Sequence, residues 1–294
     1  MWSILSLIVA QMVTGVNITG SKFLVSHLSI IALLEIRFIV GSLVLLACMP
    51  FIKKTNNAQS TISSLNKKDW FVLIAQALCA GMFFNLLMLS GIQFTSASMA
   101  GLITSTLPAM IIILSFIIFR QRITRFKALC ILFATIGLIA INGSSLSSHD
   151  FSALSIIGDM IIFLAMIPEA LYYVISKFKN TQLPAVKSAF LMNLINAIAM
   201  IPLLFFANWH ELLGLSFNAY FVLLLVSVAS ALFYLFWFMG CDQVSASTAG
   251  LVTAAMPIST LAFSFIFLGE HITLVQGIGT LLILLSIVFG ARKG

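Results

Sequence analysis

An acidic side chain interrupts an apolar stretch of this chain: Glu169, which stands in "MIPEALYYV" directly after a proline. A carboxyl group inside an apolar, membrane-spanning segment is costly and usually faces a polar interior. Burial favours its neutral form, so such a group can take up a proton on one side of a membrane and release it on the other. Glu169 is therefore a candidate for proton coupling and for substrate binding. A hydrogen-bonded structural carboxyl is the alternative.

Polar and aromatic residues recur at matching places in the two halves of the chain. Aligning the two copies of "SKF" pairs Thr14 with Glu169. The same alignment pairs Asn17 with Tyr172. A polar and aromatic lining suits an amphipathic solute such as an amino acid, whereas interface anchoring or bonds between helices are the alternatives for each residue alone. The candidate substrate-binding residues are Thr14, Asn17, Asn85, Glu169, Tyr172, Tyr234 and Trp237.

Two basic residues, Lys22 and Arg37, lie near the ends of apolar stretches where basic loop residues are otherwise absent. They are candidates for an outer gate or for attracting a substrate carboxylate. The alternative is that both side chains extend to the outer lipid headgroups.

The histidines and cysteines form no metal-binding or catalytic pattern. The cysteines are scattered and mostly lie inside apolar runs, without paired ligand spacing. The histidines fall in loops or at the ends of apolar stretches, and "HELLG" lacks the second histidine of a zinc-protease helix. We expect no catalytic residue, no metal and no cofactor, which makes a membrane-embedded enzyme an unfavoured alternative.

The composition places these residues in a membrane. Of the 294 residues, 61% are hydrophobic and 8% are charged, whereas a soluble domain carries about a quarter charged residues. The formal net charge of +7 is better explained by basic cytoplasmic loops than by nucleic-acid binding. We therefore expect an all-α integral membrane protein that binds no nucleic acid.

Ten stretches are apolar and close to the roughly 20 residues that a membrane-spanning helix needs. The predicted spans are 3–22, 29–52, 70–90, 97–119, 126–143, 155–176, 186–208, 216–239, 246–268 and 274–291. All but two of the 15 lysines and arginines fall in the loops on one side of such a topology. Because cytoplasmic loops carry the excess of basic residues, both termini are predicted to be cytoplasmic.

The chain contains an internal repeat. "SASMAGLITSTLP" at 96–108 returns as "SASTAGLVTAAMP" at 245–257, and the match continues without a gap in both directions. A unit of five spans is odd, so the second copy, 144–294, should enter the membrane inverted relative to the first, 1–143. Inverted repeats are a recurring plan of secondary transporters. The prolines that close the two segments, Pro108 and Pro257, indicate helices that bend beside a cavity. Tight packing of the small residues in these segments is the alternative.

The order of these motifs resembles that of the EamA-like family of the drug/metabolite transporter superfamily. The second copy reads "FLGEHIT" after its proline, similar to the Gly-Glu turn of that family, while the first copy departs from it with "FRQRIT". "TGVNITGSKF" and "EIRFIVGSL" resemble the first two helices. The resemblance covers essentially the whole chain, and it implies ten helices in two inverted halves and secondary transport of small metabolites.

From the repeat and this resemblance, the sequence predicts a multi-pass transporter of the inner membrane of a bacterium. It should export an amino acid or related compound by alternating access, with protons as a candidate coupling ion. An importer of the same fold, a channel and a lipid flippase are the alternatives. The expected partners are the small-molecule substrate and membrane lipid, and the expected state is a monomer or a homodimer.

Overall fold

The described part of the chain is built from apolar helices whose ends are set by polar residues. The computed structural model describes residues 2–51, 62, 65–95, 97–104, 106–120, 124–142, 152–176, 183–244, 246–256, 258–259 and 273–292. Within these ranges the regular structure is helical, with no strand. This agrees with the all-α class predicted from composition.

Thirteen α-helices lie in the described ranges. In chain order they are α1 (Trp2–Leu24), α2 (Ile30–Cys48), α3 (Lys67–Ala77), α4 (Phe84–Ile92), α5 (Ala97–Thr104), α6 (Leu107–Phe119), α7 (Arg125–Asn142), α8 (Ala153–Ile175), α9 (Ala185–Met200), α10 (His210–Leu213), α11 (Phe217–Gly240), α12 (Ala246–Val252) and α13 (Leu274–Arg292). A π-helical turn, Leu78–Phe83, joins α3 to α4, and a 3₁₀ segment, Ile201–Phe206, extends α9.

Five of these helical segments are long and apolar enough to cross a membrane, judged by length and composition. They are Ile30–Cys48, Lys67–Ile92, Ala153–Ile175, Ala185–Phe206 and Phe217–Gly240. Large apolar side chains on them remain exposed, among them Leu43, Phe71, Phe163 and Leu225. Extended exposed apolar surface of this kind is what a lipid-facing surface requires. Helical residues also occur in each of the other predicted spans, and the ten-span inverted topology stays a prediction.

Local chemistry explains where the helices depart from the predicted spans. The third span begins at Lys67 rather than residue 70, because Asn66 and Asp69 cap it reciprocally. The fourth span is two helices: α5 ends at Thr104 and α6 begins at Leu107. Pro108 lacks the N–H that would bond to the carbonyl one turn earlier, which accounts for the break. Pro257 lies outside the described residues.

The helices of the two halves pack against each other rather than as separate bundles. α1 packs along α11, α4 along α8, and α2 against both α9 and α11. α7 packs along α13, and α6 contacts α8 and α12. In each of these pairs one helix comes from the first half of the chain and the other from the second half.

Glycines allow three of these pairs, α4 with α8, α1 with α11 and α7 with α13, to approach backbone to backbone. A Cβ added at Gly91 on α4 would lie 2.8 Å from the carbonyl oxygen of Gly158 on α8, and the reverse distance is also 2.8 Å. A Cβ at Gly240 on α11 would collide with the carbonyl oxygen of Ser3 on α1. Small residues are how membrane helices reach such short separations.

We predict that Gly91→Ala destabilises the protein by about 1–3 kcal/mol, the usual cost of overpacking, because the new methyl group meets backbone atoms that cannot rotate away. Gly277→Ala is the matched control, since a Cβ there meets nothing within 4 Å and alanine favours a helix. Thermal unfolding of the purified variants measures both. Equal melting temperatures for Gly91→Ala and the parent would show that α4 and α8 are not in close contact.

Candidate functional site

A cavity of about 70 Å³ lies among helices from both halves of the chain. α1, α2 and α4, with the π-helical turn before α4, line it from the first half, and α8 and α11 line it from the second. The lining residues are Thr14, Asn17, Ser21, Arg37, Ala80, Phe84, Asn85, Met88, Leu89, Ile92, Glu169, Ser230, Phe233 and Tyr234. The cavity therefore combines one cationic group, one carboxyl group, hydroxyls and amides with an apolar wall.

Arg37 places a positive charge at this cavity with few partners. Its side chain is 3% exposed, and Nη1 donates to Ser21 Oγ and to Asn85 Oδ1, both at 3.4 Å. These distances are longer than the usual 2.7–3.2 Å, and both acceptors are neutral. Nε has no hydrogen-bond partner among the described residues. The guanidinium is thus held in place but not neutralised by them.

The π-helical turn orients the amide that faces Arg37. Asn85 Nδ2 donates to the carbonyl oxygens of Ala80 at 3.1 Å and Gly81 at 2.7 Å. Both carbonyls belong to the turn, where the α-helical hydrogen-bond ladder is interrupted. With its NH₂ group occupied in this way, Asn85 presents Oδ1 to the arginine. Turns of this type are frequent at functional sites.

A directed chain of hydrogen bonds leads from Arg37 across α1 to α11. Arg37 donates to Ser21 Oγ, and Ser21 Oγ donates to Asn17 Oδ1 at 3.3 Å. Asn17 Nδ2 donates in turn to the carbonyl oxygen of Val226 at 3.4 Å. The arginine is therefore linked to the second half of the chain through two neutral side chains of α1.

Glu169 reaches the cavity from α8 and is 7% exposed. Tyr173 follows it one turn further along the same helix. Gln11 Nε2 on α1 donates to the hydroxyl of Tyr173 at 3.4 Å. Pro168 lies inside α8 directly before Glu169, and proline removes one hydrogen bond from the helix at this depth. The polar groups next to this carboxyl therefore come from both α1 and α8.

An aromatic cluster lies behind the cavity wall. Tyr172 and Trp237 are fully buried, and they pack around Tyr173 and Tyr234. Ring centroids are 4.6 Å apart for Tyr173 and Trp237, and 6.3 Å apart for Tyr172 and Tyr234. Edge-to-face contacts of this kind are favourable. The cluster holds in place the tyrosines that reach the cavity and Glu169.

The structure brings most of the sequence candidates together. Thr14, Asn17, Asn85, Glu169 and Tyr234 line the cavity, whereas Tyr172 and Trp237 lie behind it without lining it. Arg37, expected near the outer edge as a gate, also lines the cavity. The side chain of Lys22 lies outside what the structure describes. The assignment of these residues to substrate binding, gating and coupling stays a prediction.

Several lining residues are not distinctive in the sequence. Ser21 belongs to the "SKF" motif, in which only Lys22 carries a charge. Ser230 and Phe233 are ordinary residues of an apolar helix, and the apolar wall on α4 cannot be told from lipid-facing residues by composition. Tyr173 could have been found, because it follows Tyr172 and lies one helical turn from Glu169.

A model of the EamA-like transporter family matches the chain over residues 1–143 and 156–291. The uncharacterized transporter YetK of Bacillus subtilis (strain 168) is 30% identical over 285 residues, covering 95% of this chain and 83% of YetK. An uncharacterized transporter of Archaeoglobus fulgidus is 25% identical over 297 residues, covering 99% of each chain. These relatives extend over nearly the whole chain, so the similarity is not confined to one repeat.

A solved structure has a similar fold. A crystal structure described only as that of a protein superposes with a TM-score of 0.73, covering 99% of this chain and 96% of that chain. The two sequences are 13% identical. At that identity the likeness shows the fold alone.

We predict that the cavity is reached by water from outside the protein. In a variant whose cysteines are replaced by alanine, Ser230→Cys should react faster with a small methanethiosulfonate reagent than Ser227→Cys. Ser230 lines the cavity, whereas Ser227, one turn earlier on the same helix, is fully buried and bonded to Leu223. Labelling is followed by mass spectrometry in detergent. Equal rates at the two positions would contradict a solvent-connected cavity.

Proposed function

We propose, from the premise that this chain belongs to the EamA-like transporter family, that it exports an amino acid or related small metabolite across the inner membrane of a bacterium. In this proposal the protein is a secondary transporter that works by alternating access and is coupled to protons. Both termini face the cytoplasm. The family assignment supports a multi-pass membrane transporter. The solute class and the proton coupling are supported by the residues that line the cavity.

The proposal of two inverted repeats is supported by the family matches and by paired contacts. The family model matches one stretch in each half of the chain. Gly91 corresponds to Gly240 when 96–108 is aligned with 245–257, and Ser3 corresponds to Gly158 when the two "SKF" motifs are aligned. Gly91 meets the backbone of Gly158, and Gly240 meets that of Ser3. The same contact between corresponding positions is what a pseudo-twofold axis between the halves produces.

One observation carries the function: a partly polar cavity lined by both halves holds one basic and one acidic side chain, Arg37 and Glu169. Each comes from a different half. Ionisable groups at membrane depth mark substrate and proton pathways, and a site between two halves is exposed to one side or the other when those halves rock. The mixture of polar groups with Phe84, Met88 and Phe233 suits a small solute with one apolar end.

Counterflow in proteoliposomes tests this function. Vesicles loaded with an unlabelled amino-acid mixture are diluted into a trace of the same mixture carrying a radiolabel. An alternating-access carrier exchanges bound solute across the membrane, so label should accumulate transiently inside. Protein-free vesicles are the control. Equilibration without transient accumulation indicates a channel, and no protein-dependent uptake rejects amino acids as substrates.

We predict that Glu169→Gln makes exchange independent of a pH gradient. Glutamine keeps the shape and most of the hydrogen bonding of the acid but cannot take up a proton. Tyr172, Tyr173, Tyr234 and Cys79 are titratable groups near this carboxyl, and Arg37 shares its cavity. The measured quantity is the ratio of solute flux with an imposed gradient to flux without one. Glu169 is replaced while these neighbours stay unchanged.

Asp159→Asn is the matched control for this variant. Asp159 lies on the same helix and accepts a hydrogen bond from Thr95 Oγ1 at 2.7 Å, which asparagine can also accept. The control should respond to the gradient as the parent does. If Glu169→Gln also responds like the parent, Glu169 does not carry the coupling proton.

A further inference from the structure

We propose that Arg37 binds the carboxylate of the transported solute through Nη2, the guanidinium nitrogen that is neither hydrogen-bonded to a described residue nor closed off from the cavity. This inference rests on the proposed function and names its substrate class: small monocarboxylates with an apolar end, which include α-amino acids. Arg37 then acts as the anion site of the cavity itself, rather than as a gate at its outer edge.

Arg37 has no acidic partner among the described residues. Arg37 lies on an otherwise largely apolar helix, and none of its hydrogen bonds to the described residues goes to an acid. Glu35 is two residues away, where side chains on a helix do not face each other. Glu169 lines the same cavity but forms no ion pair with Arg37 in the described part of the chain. An unpaired buried charge is strongly unfavourable, so a ligand that supplies a negative charge stabilises the site.

Not every nitrogen of the Arg37 guanidinium has a hydrogen-bond partner. Nη1 is occupied by Ser21 and Asn85, and Nε is buried without a partner among the described residues. Nη2 makes no hydrogen bond to any described residue and is not among the fully buried polar atoms, so it is the nitrogen left to meet a ligand. A carboxylate accepts a charge-assisted hydrogen bond from such a group, which is stronger than a bond between neutral partners.

Two neighbouring side chains fix the orientation of the Arg37 guanidinium. Ser21 and Asn85 accept bonds from Nη1 only, and each is itself oriented by another bond: Ser21 by Asn17, and Asn85 by the carbonyls of the π-helical turn. The arginine is thus fixed from one side. Little side-chain entropy remains to be lost when a ligand binds, which favours affinity.

The rest of the lining selects among anions. Phe84, Met88, Leu89 and Phe233 form an apolar wall that suits an aliphatic or aromatic end. A phosphate dianion needs more donors than one guanidinium nitrogen supplies, and it would share the cavity with a second acidic group, Glu169. A monocarboxylate matches the single positive charge of Arg37.

Ligand-dependent thermal stability tests the assignment, because a ligand that binds the folded state raises the melting temperature. The purified full-length protein is titrated with L-leucine, L-phenylalanine and 4-methylpentanoate. The matched compounds lacking a carboxylate are the two amino-acid amides, isoamylamine and phenethylamine, and inorganic phosphate is the competing anion. Carboxylates should stabilise the protein, and the amides, the amines and phosphate should not.

Arg37→Gln should weaken the carboxylate effect by about tenfold or more, since charge-assisted bonds are lost, and Arg37→Lys should weaken it less. Arg125→Gln, at the exposed start of α7, is the control and should behave as the parent. Equal stabilisation by amides or amines, preference for phosphate, or the absence of any carboxylate-dependent shift overturns the proposal.

A second measurement needs no ligand. If Arg37 awaits its counter-charge from the solute, ligand-free Arg37→Gln should melt at the parental temperature or above it. A marked drop would show that the arginine is a structural residue and would overturn the proposal.

Counterflow separates this proposal from the function on which it rests. If the amines and amides exchange at the same rate as the amino acids, the protein is a transporter but Arg37 does not bind a substrate carboxylate. If carboxylates bind in a way that depends on Arg37 but no counterflow occurs, the binding site is supported and the transport function is rejected.

Discussion

A positive charge enclosed by apolar helices is the constraint on which the interior of this protein depends. Water at membrane depth is scarce, so each polar group must be satisfied by the protein or by something it binds. Around Arg37, the hydroxyl of Ser21, the amides of Asn17 and Asn85, and the π-helical turn are arranged to hold the guanidinium. Each bond restricts the next group, and the result is a rigid polar site inside an apolar bundle.

The close packing of the two halves makes this interior possible. Gly91 and Gly158 bring α4 and α8 together, and Gly240 with Ser3 does the same for α11 and α1. These four helices carry most of the cavity lining. A larger residue at such a contact would move the polar groups apart as well as strain the helices. Helix packing and the shape of the cavity are therefore linked through the same pairs.

Much of this arrangement could be predicted from the sequence, because its signals are local. Apolar runs predicted where the helices lie, and the aligned "SKF" motifs selected Thr14 and Asn17, which line the cavity. Side-chain depth could not be predicted. Tyr172 is fully buried behind the wall although its aligned partner Asn17 lines the cavity, since the alignment places residues on corresponding helix faces but not at a distance from the axis.

Backbone irregularities also escaped the sequence argument. No residue pattern signalled the π-helical turn at Leu78–Phe83, because its apolar residues suit an α-helix equally well. This turn sets the direction of Asn85 and therefore of Arg37. The break before Pro108 was foreseeable, since proline has a known local effect. Local chemistry was thus predictable from the sequence, whereas tertiary packing determined the final shape of the site.

Reversible chemical blocking of the cavity tests most directly whether it is the transport site. A cysteine-free protein carrying Ser230→Cys is reconstituted, treated with a methanethiosulfonate reagent and assayed for exchange of radiolabelled amino acids before and after dithiothreitol. If this cavity is the transport site, exchange stops when the thiol is modified and returns when the reagent is removed. Exchange that continues at the unmodified rate with the thiol fully modified would contradict the account.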